Sequence, residues 1–207
     1  MSAPSFIHLR LHSEYSLVDG LVRINPLVNR AVELGMPAIA LTDITNFFGL
    51  IKFYKAAHLA GIKPICGADL RVRSNIEGIK PFDLTFLVMN LQGYQNLTRL
   101  ISRAYQEGQV RGEPLVQKRW IEESSEGLIV LGGHQSDIGQ ALLSGNNKQA
   151  EECLQSWLGV LPERFYLELN RTGRPGEEDF IHNAVQLSSM FGCPLVATND
   201  VRFLDPS

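Results

Sequence analysis

Short apolar segments alternate along the chain with segments in which apolar residues recur every three or four positions. The short segments are rich in β-branched and aromatic residues, and most lie between turn signals, a pattern that is typical of strands. Residues 38–41 and 128–131 are apolar at every position, as expected of strands buried on both faces. Strands are predicted over residues 6–11, 37–41, 63–65 (extendable to 72), 84–89, 128–131, 165–169 and 195–198.

Helices are predicted in the intervals between these strands. Asn25-Pro26 favours a cap and first turn for the first helix, and Gly35, Gly61 and Gly192 mark the ends of three helices. The helical pattern covers residues 27–34, 48–59, 94–105, 150–158 and 177–191, with shorter helices after His134 and around Trp120. Strands that alternate with helices indicate a parallel sheet, which leaves two architectures open, a doubly wound sheet and a barrel.

Composition narrows the class of protein. The 207 residues carry 19 basic and 22 acidic side chains, a net charge of −3, which argues against binding duplex DNA as the main activity of the chain itself. Cys66, Cys153 and Cys193 form no CxxC or zinc-finger spacing, so we expect a reducing, cytoplasmic location. With no signal peptide and no apolar stretch of membrane-spanning length, no membrane contact is expected. The sequence ends soon after the last predicted strand, which is typical of a domain separated from its closing helix.

Polar side chains collect where the predicted strands end, which is where parallel α/β folds place their chemistry. Histidine nitrogen and carboxylate oxygen together suit a divalent metal ion. Asp43 fits membership of such a site and capping or turn formation equally well, whereas His58 and His182 are interpreted as structural residues. The polar strand ends carry His8, Arg10 and His12; Thr42-Asp43; Asp69; His134; Glu168 and Asn170; and Asn199-Asp200.

Residues 8–20 (HLRLHSEYSLVDG) resemble the opening motif of PHP (polymerase and histidinol phosphatase) domains, in particular those of bacterial replicative DNA polymerases. Six further stretches, in order along the chain, support the resemblance: LTDITN at 41–46, IKPICGAD at 62–69, GYQNL at 93–97, GLIVLGG at 127–133, FYLEL at 165–169 and VATNDV at 196–201. The resemblance implies a distorted seven-stranded βα barrel and a single domain over residues 1–207, at the amino terminus of a much longer polymerase chain.

Active members of the family hold three metal ions with nine residues and hydrolyse phosphoesters. Their ligand positions correspond here to Arg10, His12, Asp19, Ile44, Asp69, Asp83, His134, Asp200 and Arg202. His12, Asp19 and Asp200 match the family pattern, and Asp69 and His134 are plausible substitutes. The other four depart from it: isoleucine has no lone pair, and a guanidinium stays protonated and repels a cation.

The resemblance therefore implies a vestigial metal site with no catalytic residue and no cofactor. We expect Asp19, Asp69 and Asp200 to meet at the barrel mouth, with Arg10 in contact with at least one of them and Arg202 close by. The implied partners are the proofreading exonuclease subunit, the remainder of the polymerase chain and, through the full-length protein, DNA. An active phosphoesterase or 3′–5′ exonuclease using Zn, Mn or Mg, and a stand-alone phosphatase of the histidinol-phosphate type, remain the alternatives.

Overall fold

The computed structural model describes residues 6–17, 19–74, 76 and 79–204. The strands are β1 (Ala38–Leu41), β2 (Lys63–Arg73), β3 (Phe82–Val88), β4 (Gln109–Val110), β5 (Glu113–Pro114), β6 (Val116–Gln117), β7 (Leu128–Gly132), β8 (Phe165–Leu169) and β9 (Leu195–Ala197). The helices are α1 (Ile24–Glu33), α2 (Leu50–Leu59), α3 (Leu91–Glu107), α4 (Lys118–Glu123), α5 (Asp137–Leu143), α6 (Asn147–Val160) and α7 (Glu177–Phe191), and a 3-10 turn spans Glu14–Ser16. Within those ranges no helix is both long and apolar enough to cross a membrane.

The main sheet is mixed rather than parallel. Its order is β1-β2-β3-β7-β8-β9, with β6 beside β2. β1 and β2 are parallel, as are β7, β8 and β9, but β3 runs antiparallel to both of its neighbours. The prediction of a fully parallel sheet is wrong at β3, because the connection from β2 spans only residues 74–81 and a parallel crossover needs a dozen residues or more.

The segment before the 3-10 turn closes the sheet into a barrel. The Ala40 and Thr42 N–H groups donate to the carbonyls of His8 and Leu11, and the His12 N–H donates to the carbonyl of Val201. Between these two bonds the first segment advances by three residues, from His8 to Leu11, while the chain at the end of β1 advances by two, from Ala40 to Thr42. Such a bulge interrupts a regular ladder. Residues 6–11 therefore bridge both edges without forming the strand predicted there. The six strands and this segment, which takes the place of a seventh strand, form the distorted βα barrel that the family resemblance implied.

Side chains alternate along each strand between the helices outside and the barrel interior. Phe165 and Leu167 of β8 point outward into a core that includes Trp157, whereas Tyr166 and Glu168 point inward. At the carboxyl end of β8 the inward position is the charged Glu168. A Cβ at Gly133 would lie 2.7 Å from Glu168 Oε2, so glycine there leaves room for that carboxylate.

Helix limits agree closely with the periodicity. α7 spans the predicted residues and ends at Gly192, whose φ of +66° is the left-handed conformation that glycine adopts readily. The expected cap at Asn25 is wrong, because α1 begins at the buried Ile24 and its N-cap is Arg23, which makes no side-chain cap bond. Elsewhere Asn90 caps α3 by accepting from the Gly93 N–H, and Ser136 caps α5 in the same way.

Candidate functional site

Arg10 lies at the centre of the polar end of the barrel and is buried. Its Nε is 2.8 Å from Asp69 Oδ2, its Nη1 is 3.4 Å from Glu168 Oε2, and its Nε is 3.9 Å from Asp200 Oδ1. Burial alone would lower the pKa of the Arg10 guanidinium, but the three carboxylates outweigh it and raise that pKa. The predicted contact between Arg10 and one of the site carboxylates is confirmed.

Asp69 is the carboxylate with the most partners. It lies on β2 opposite Thr85 of β3, whose hydroxyl donates to Asp69 Oδ1 at 2.6 Å. His12 Nε2 lies 2.7 Å from Asp69 Oδ2, the same oxygen that Arg10 contacts. Burial would raise the pKa of Asp69, but the charges of Arg10 and His12 and the hydrogen bonds lower it to about 2. Arg10, His12 and Thr85 therefore favour the ionised carboxylate of Asp69.

Asp200 is held from two sides. Arg202 donates to both of its oxygens, at 2.9 Å from Nε and 3.1 Å from Nη2, and Arg174 Nη2 donates to Oδ2 at 2.8 Å. Two-pronged contact of this kind matches the planar guanidinium to the carboxylate. Burial, and then repulsion from Arg10, lower the pKa of Arg202 to about 10.

Asp19 closes the group on its solvent side. Its side chain is 48% exposed, contacts the Arg202 guanidinium, and places Oδ2 3.5 Å from His12 Nδ1. The Asp19 carbonyl also accepts from Arg202 Nη1 at 2.9 Å. Asp19, Asp69 and Asp200 are thus linked through His12 and the two arginines, in the arrangement predicted for the barrel mouth.

The other three predicted positions make no ion pair or side-chain hydrogen bond with this group in the part of the chain that the structure describes. Ile44 contributes only its backbone. It forms an isolated β-bridge with Asp69, and its N–H donates a hydrogen bond to Ser16 Oγ. Asp83 pairs with Arg71 at 3.6 Å, and burial raises the pKa of its carboxyl. His134 packs edge-on against Phe180, and burial, followed by the charge of Arg174, lowers the pKa of its imidazole.

Two contributors were absent from the predicted site. Glu168 was noted only as a polar strand end, although it is the inward-facing position two residues after Tyr166 and could have been found from that alternation. It accepts from Thr198 Oγ1 at 2.5 Å, and burial raises the pKa of its carboxyl. Arg174 lies in the loop before α7, where no local pattern in the sequence marks it.

Asp43 proves to be structural. Its Oδ1 accepts from the Ser13 N–H at 2.7 Å and from the Ser16 hydroxyl at 2.7 Å, and its Oδ2 accepts from the Ser13 hydroxyl at 2.8 Å. These bonds hold the 3-10 turn that follows His12. Asp43 therefore shapes the first motif, and of the two roles left open for it the loop-forming one applies.

The side chains present do not fit the three-ion cluster that the family resemblance implies. Arg10 and Arg202 lie directly on Asp69 and Asp200, where a bound cation would have to displace a guanidinium, and Ile44 offers no donor. A guanidinium cannot ligate a metal because it has no free lone pair. Among the described residues, no group of three or more His, Cys, Asp or Glu is arranged to hold an ion.

A cavity of about 900 Å³ lies away from this site. It lies towards the opposite end of the barrel and is lined there by Ile65, Leu87 and Tyr166, which lie on the same strands as Asp69, Thr85 and Glu168 respectively. The cavity extends outward between α2 and α3. Its lining is apolar apart from a few groups such as Lys63. The charged group and this cavity are therefore separate features of the barrel.

The sequence is similar to a known protein family and to named members of it. The sequence matches the family model for the PHP domain over residues 8–172. It is 52% identical over 208 residues to the DNA polymerase III subunit alpha of Escherichia coli K12, and 54% identical over 202 residues to that of Pseudomonas fluorescens. The alignments cover 100% and 97% of this chain but only 18% and 17% of those relatives, so the chain spans less than a fifth of their length.

Solved structures share the fold at low sequence identity. A protein from Bifidobacterium adolescentis described as a metal-dependent phosphoesterase superposes with a TM-score of 0.69 at 11% identity, over 99% of this chain and 91% of that one. An amidohydrolase from Chromobacterium violaceum, solved with sulfate and no metal, gives a TM-score of 0.60 at 16% identity, over 95% and 87% of the two chains. At these identities the likeness concerns the fold alone.

Proposed function

The chain belongs to the PHP domain family, and we propose that it is the non-catalytic amino-terminal domain of a cytoplasmic bacterial replicative DNA polymerase. The identity of more than half of the aligned residues to two DNA polymerase III alpha subunits, across nearly the whole chain, supports the parent protein. The observation that supports the lack of catalysis is that Arg10 pairs with Asp69 and Arg202 pairs with Asp200. Both arginines occupy positions at which active members of the family have metal ligands.

The charged group has a structural role in this proposal. Buried carboxylates from β2, β8 and the end of the barrel repel one another unless cations offset them. Arg10 supplies that charge from the first segment, which also closes the barrel. The group thereby joins the two edges of the sheet, and the domain serves as a stable platform for the rest of the polymerase chain and for the proofreading exonuclease subunit. DNA is bound through the full-length protein.

Metal content and hydrolysis test the lack of catalysis. The purified chain is analysed for transition metals and then assayed on a chromogenic phosphodiester with added Mn²⁺ or Zn²⁺. We expect no stoichiometric multi-metal cluster and no hydrolysis above that of a chain with Asp19, Asp69 and Asp200 all changed to asparagine. Two or more tightly held ions per chain, together with hydrolysis that this variant lacks, would establish the active phosphoesterase instead.

Docking is tested on the full polymerase subunit. Removal of residues 1–207 should abolish capture of the exonuclease subunit while binding of the polymerase to other replicase components persists, which shows that the remainder is folded. Equal capture of the exonuclease by the intact and the shortened subunit would remove this partner from the proposal.

A further inference from the structure

The cavity of about 900 Å³ touches both faces of β2. Ile65 faces the barrel interior and packs against a cluster that contains Leu87 and Leu131. Cys66, the next residue, faces outward and packs against a cluster that contains Phe53 of α2. Both Ile65 and Cys66 line the cavity. Because successive side chains of a strand point to opposite faces, a cavity reaches both only by passing along an edge where the strand has no neighbour.

That edge is the one that β2 turns towards β3. The registered pairing of β2 with β3 begins at Gly67, and residues 63–66 pair with β1 alone among the described strands. The Lys63 N–H donates to the carbonyl of Pro37, on the β1 side. Successive N–H groups of a strand point to opposite sides, so Pro64 faces β3 at a position where proline has no N–H to donate. The ladder therefore stops short, and the barrel wall is open there to the groove between α2 and α3.

The lining of the cavity combines an aliphatic interior with hydrogen-bond donors. Its aliphatic side chains inside the barrel are Leu9, Ile65, Leu87, Ile129, Leu131 and Val196. Its donors, which make no side-chain hydrogen bond or ion pair within the described part of the chain, are Lys63, Tyr54, Tyr94 and Tyr166. None of the described lining residues is an aspartate or a glutamate. An apolar pocket with a few convergent donors and one positive charge favours a ligand that has an apolar body and an anionic head group.

We propose that this cavity binds a small amphipathic monoanion, an aliphatic carboxylate of the fatty-acid class. The ligand enters through the opening between β2 and β3, and its tail lies among the aliphatic side chains of the barrel interior. Its carboxylate pairs with the exposed ammonium of Lys63, since a single lysine offsets a single negative charge. A volume of about 900 Å³ is within the range of pockets that hold small molecules. The site is separate from the charged group at the other end of the barrel and does not depend on the polymerase assignment.

Titration calorimetry on the full-length protein tests the recognition of the head group. Dodecanoate is used below its micellar concentration, with dodecanol as the neutral analogue. We expect saturable binding of dodecanoate and affinity for dodecanol that is weaker by about five-fold. Lys63→Gln should weaken dodecanoate binding by about five-fold and leave dodecanol binding unchanged. Lys55→Gln is the matched control, because Lys55 is exposed on α2 but does not line the cavity, and it should keep the native affinity for dodecanoate.

Photo-crosslinking locates the bound molecule without any substitution. Dodecanoate that carries a diazirine at the end of its tail is irradiated with the native full-length protein, and modified residues are identified by peptide mass spectrometry. We expect modification of Ile129, Leu131 or Val196, and we expect an excess of unmodified dodecanoate to suppress it.

Three results would overturn the proposal. The first is the absence of saturable binding, including the case in which another segment of the longer protein or the exonuclease subunit already fills the cavity. The second is equal affinity for dodecanoate and dodecanol that Lys63→Gln does not change, because the cavity would then recognise no anion. The third is crosslinking confined to residues outside the cavity. None of these measurements concerns metal content or hydrolysis, so the proposed function is tested separately.

Discussion

Arg10 and Asp69 form a buried ion pair, with 2.8 Å between Nε and Oδ2. The two residues are 59 positions apart and come from the segment that closes the barrel and from β2. Asp69 thus pairs with the fixed positive charge of Arg10 at a position that the family resemblance equates with a metal ligand. Four measurements of stability follow from this arrangement and from one further buried pair.

Arg10→Ala should lower the free energy of unfolding by about 3–5 kcal/mol, because it leaves buried carboxylates without their cation. Urea denaturation followed by circular dichroism measures the change. Arg171→Ala is the matched control, since Arg171 pairs with Glu178 at 2.7 Å on the surface, where such a pair is worth about 1 kcal/mol or less. Similar losses for the two variants would contradict the buried role of Arg10.

Asp69 makes the stability of the domain sensitive to acid. Its pKa of about 2 in the folded chain lies below the value of about 3.9 for an unfolded aspartate, so its contribution is complete above about pH 5 and is lost as the pH falls from there through 2. The free energy of unfolding of the native chain should therefore fall between pH 5 and pH 2 more steeply than that of Asp69→Asn. Asp179→Asn, at an exposed position of α7, serves as the control and should keep the native slope.

Glu168→Gln should behave in the opposite way. Burial raises the pKa of Glu168, so its ionised form costs stability at neutral pH and that cost disappears as the pH falls below about 4. Glutamine keeps an oxygen that can accept from Thr198. We expect the urea midpoint of Glu168→Gln at pH 7 to equal or exceed that of the native chain, and the advantage to shrink at pH 4. A clear loss at pH 7 would show that the negative charge on Glu168 is needed.

Two buried tryptophans allow the contribution of a hydrogen bond to stability to be distinguished from that of the indole ring. Trp157 Nε1 donates to Asp137 Oδ2 at 2.9 Å, and burial raises the pKa of that carboxyl, whereas Trp120 Nε1 has no hydrogen-bond partner among the described residues. A cation lies 4.3 Å from the centroid of each ring, Lys118 over Trp157 and Arg103 over Trp120. Trp157→Phe should therefore cost about 1–3 kcal/mol more than Trp120→Phe in thermal or urea unfolding, because it alone removes the hydrogen bond to Asp137 Oδ2, while Asp137 Oδ1 keeps the bond from the Ile138 N–H. Equal losses in the free energy of unfolding would show that the hydrogen bond to Asp137 makes no net contribution to stability.

Local pattern in the sequence determined most elements of secondary structure. Apolar runs located the six strands β1, β2, β3, β7, β8 and β9. α7 ends where the periodicity stops, at Gly192 with its left-handed conformation. Motif order identified the family and six of the residues that meet at the polar end. These features depend on side chains near one another in sequence, so a pattern along the chain is enough to reveal them.

Tertiary structure alone decided the direction of β3, the irregular first segment and the partners of Arg10. β3 reverses because the residues before it are too few for a crossover, and the segment before His12 gains its bulge only by bonding β1 and Val201 at once. Glu168 reaches Arg10 from 158 positions away. Which carboxylate a buried guanidinium selects depends on distance and burial in the closed barrel, and neither quantity exists until strands remote in sequence have come together.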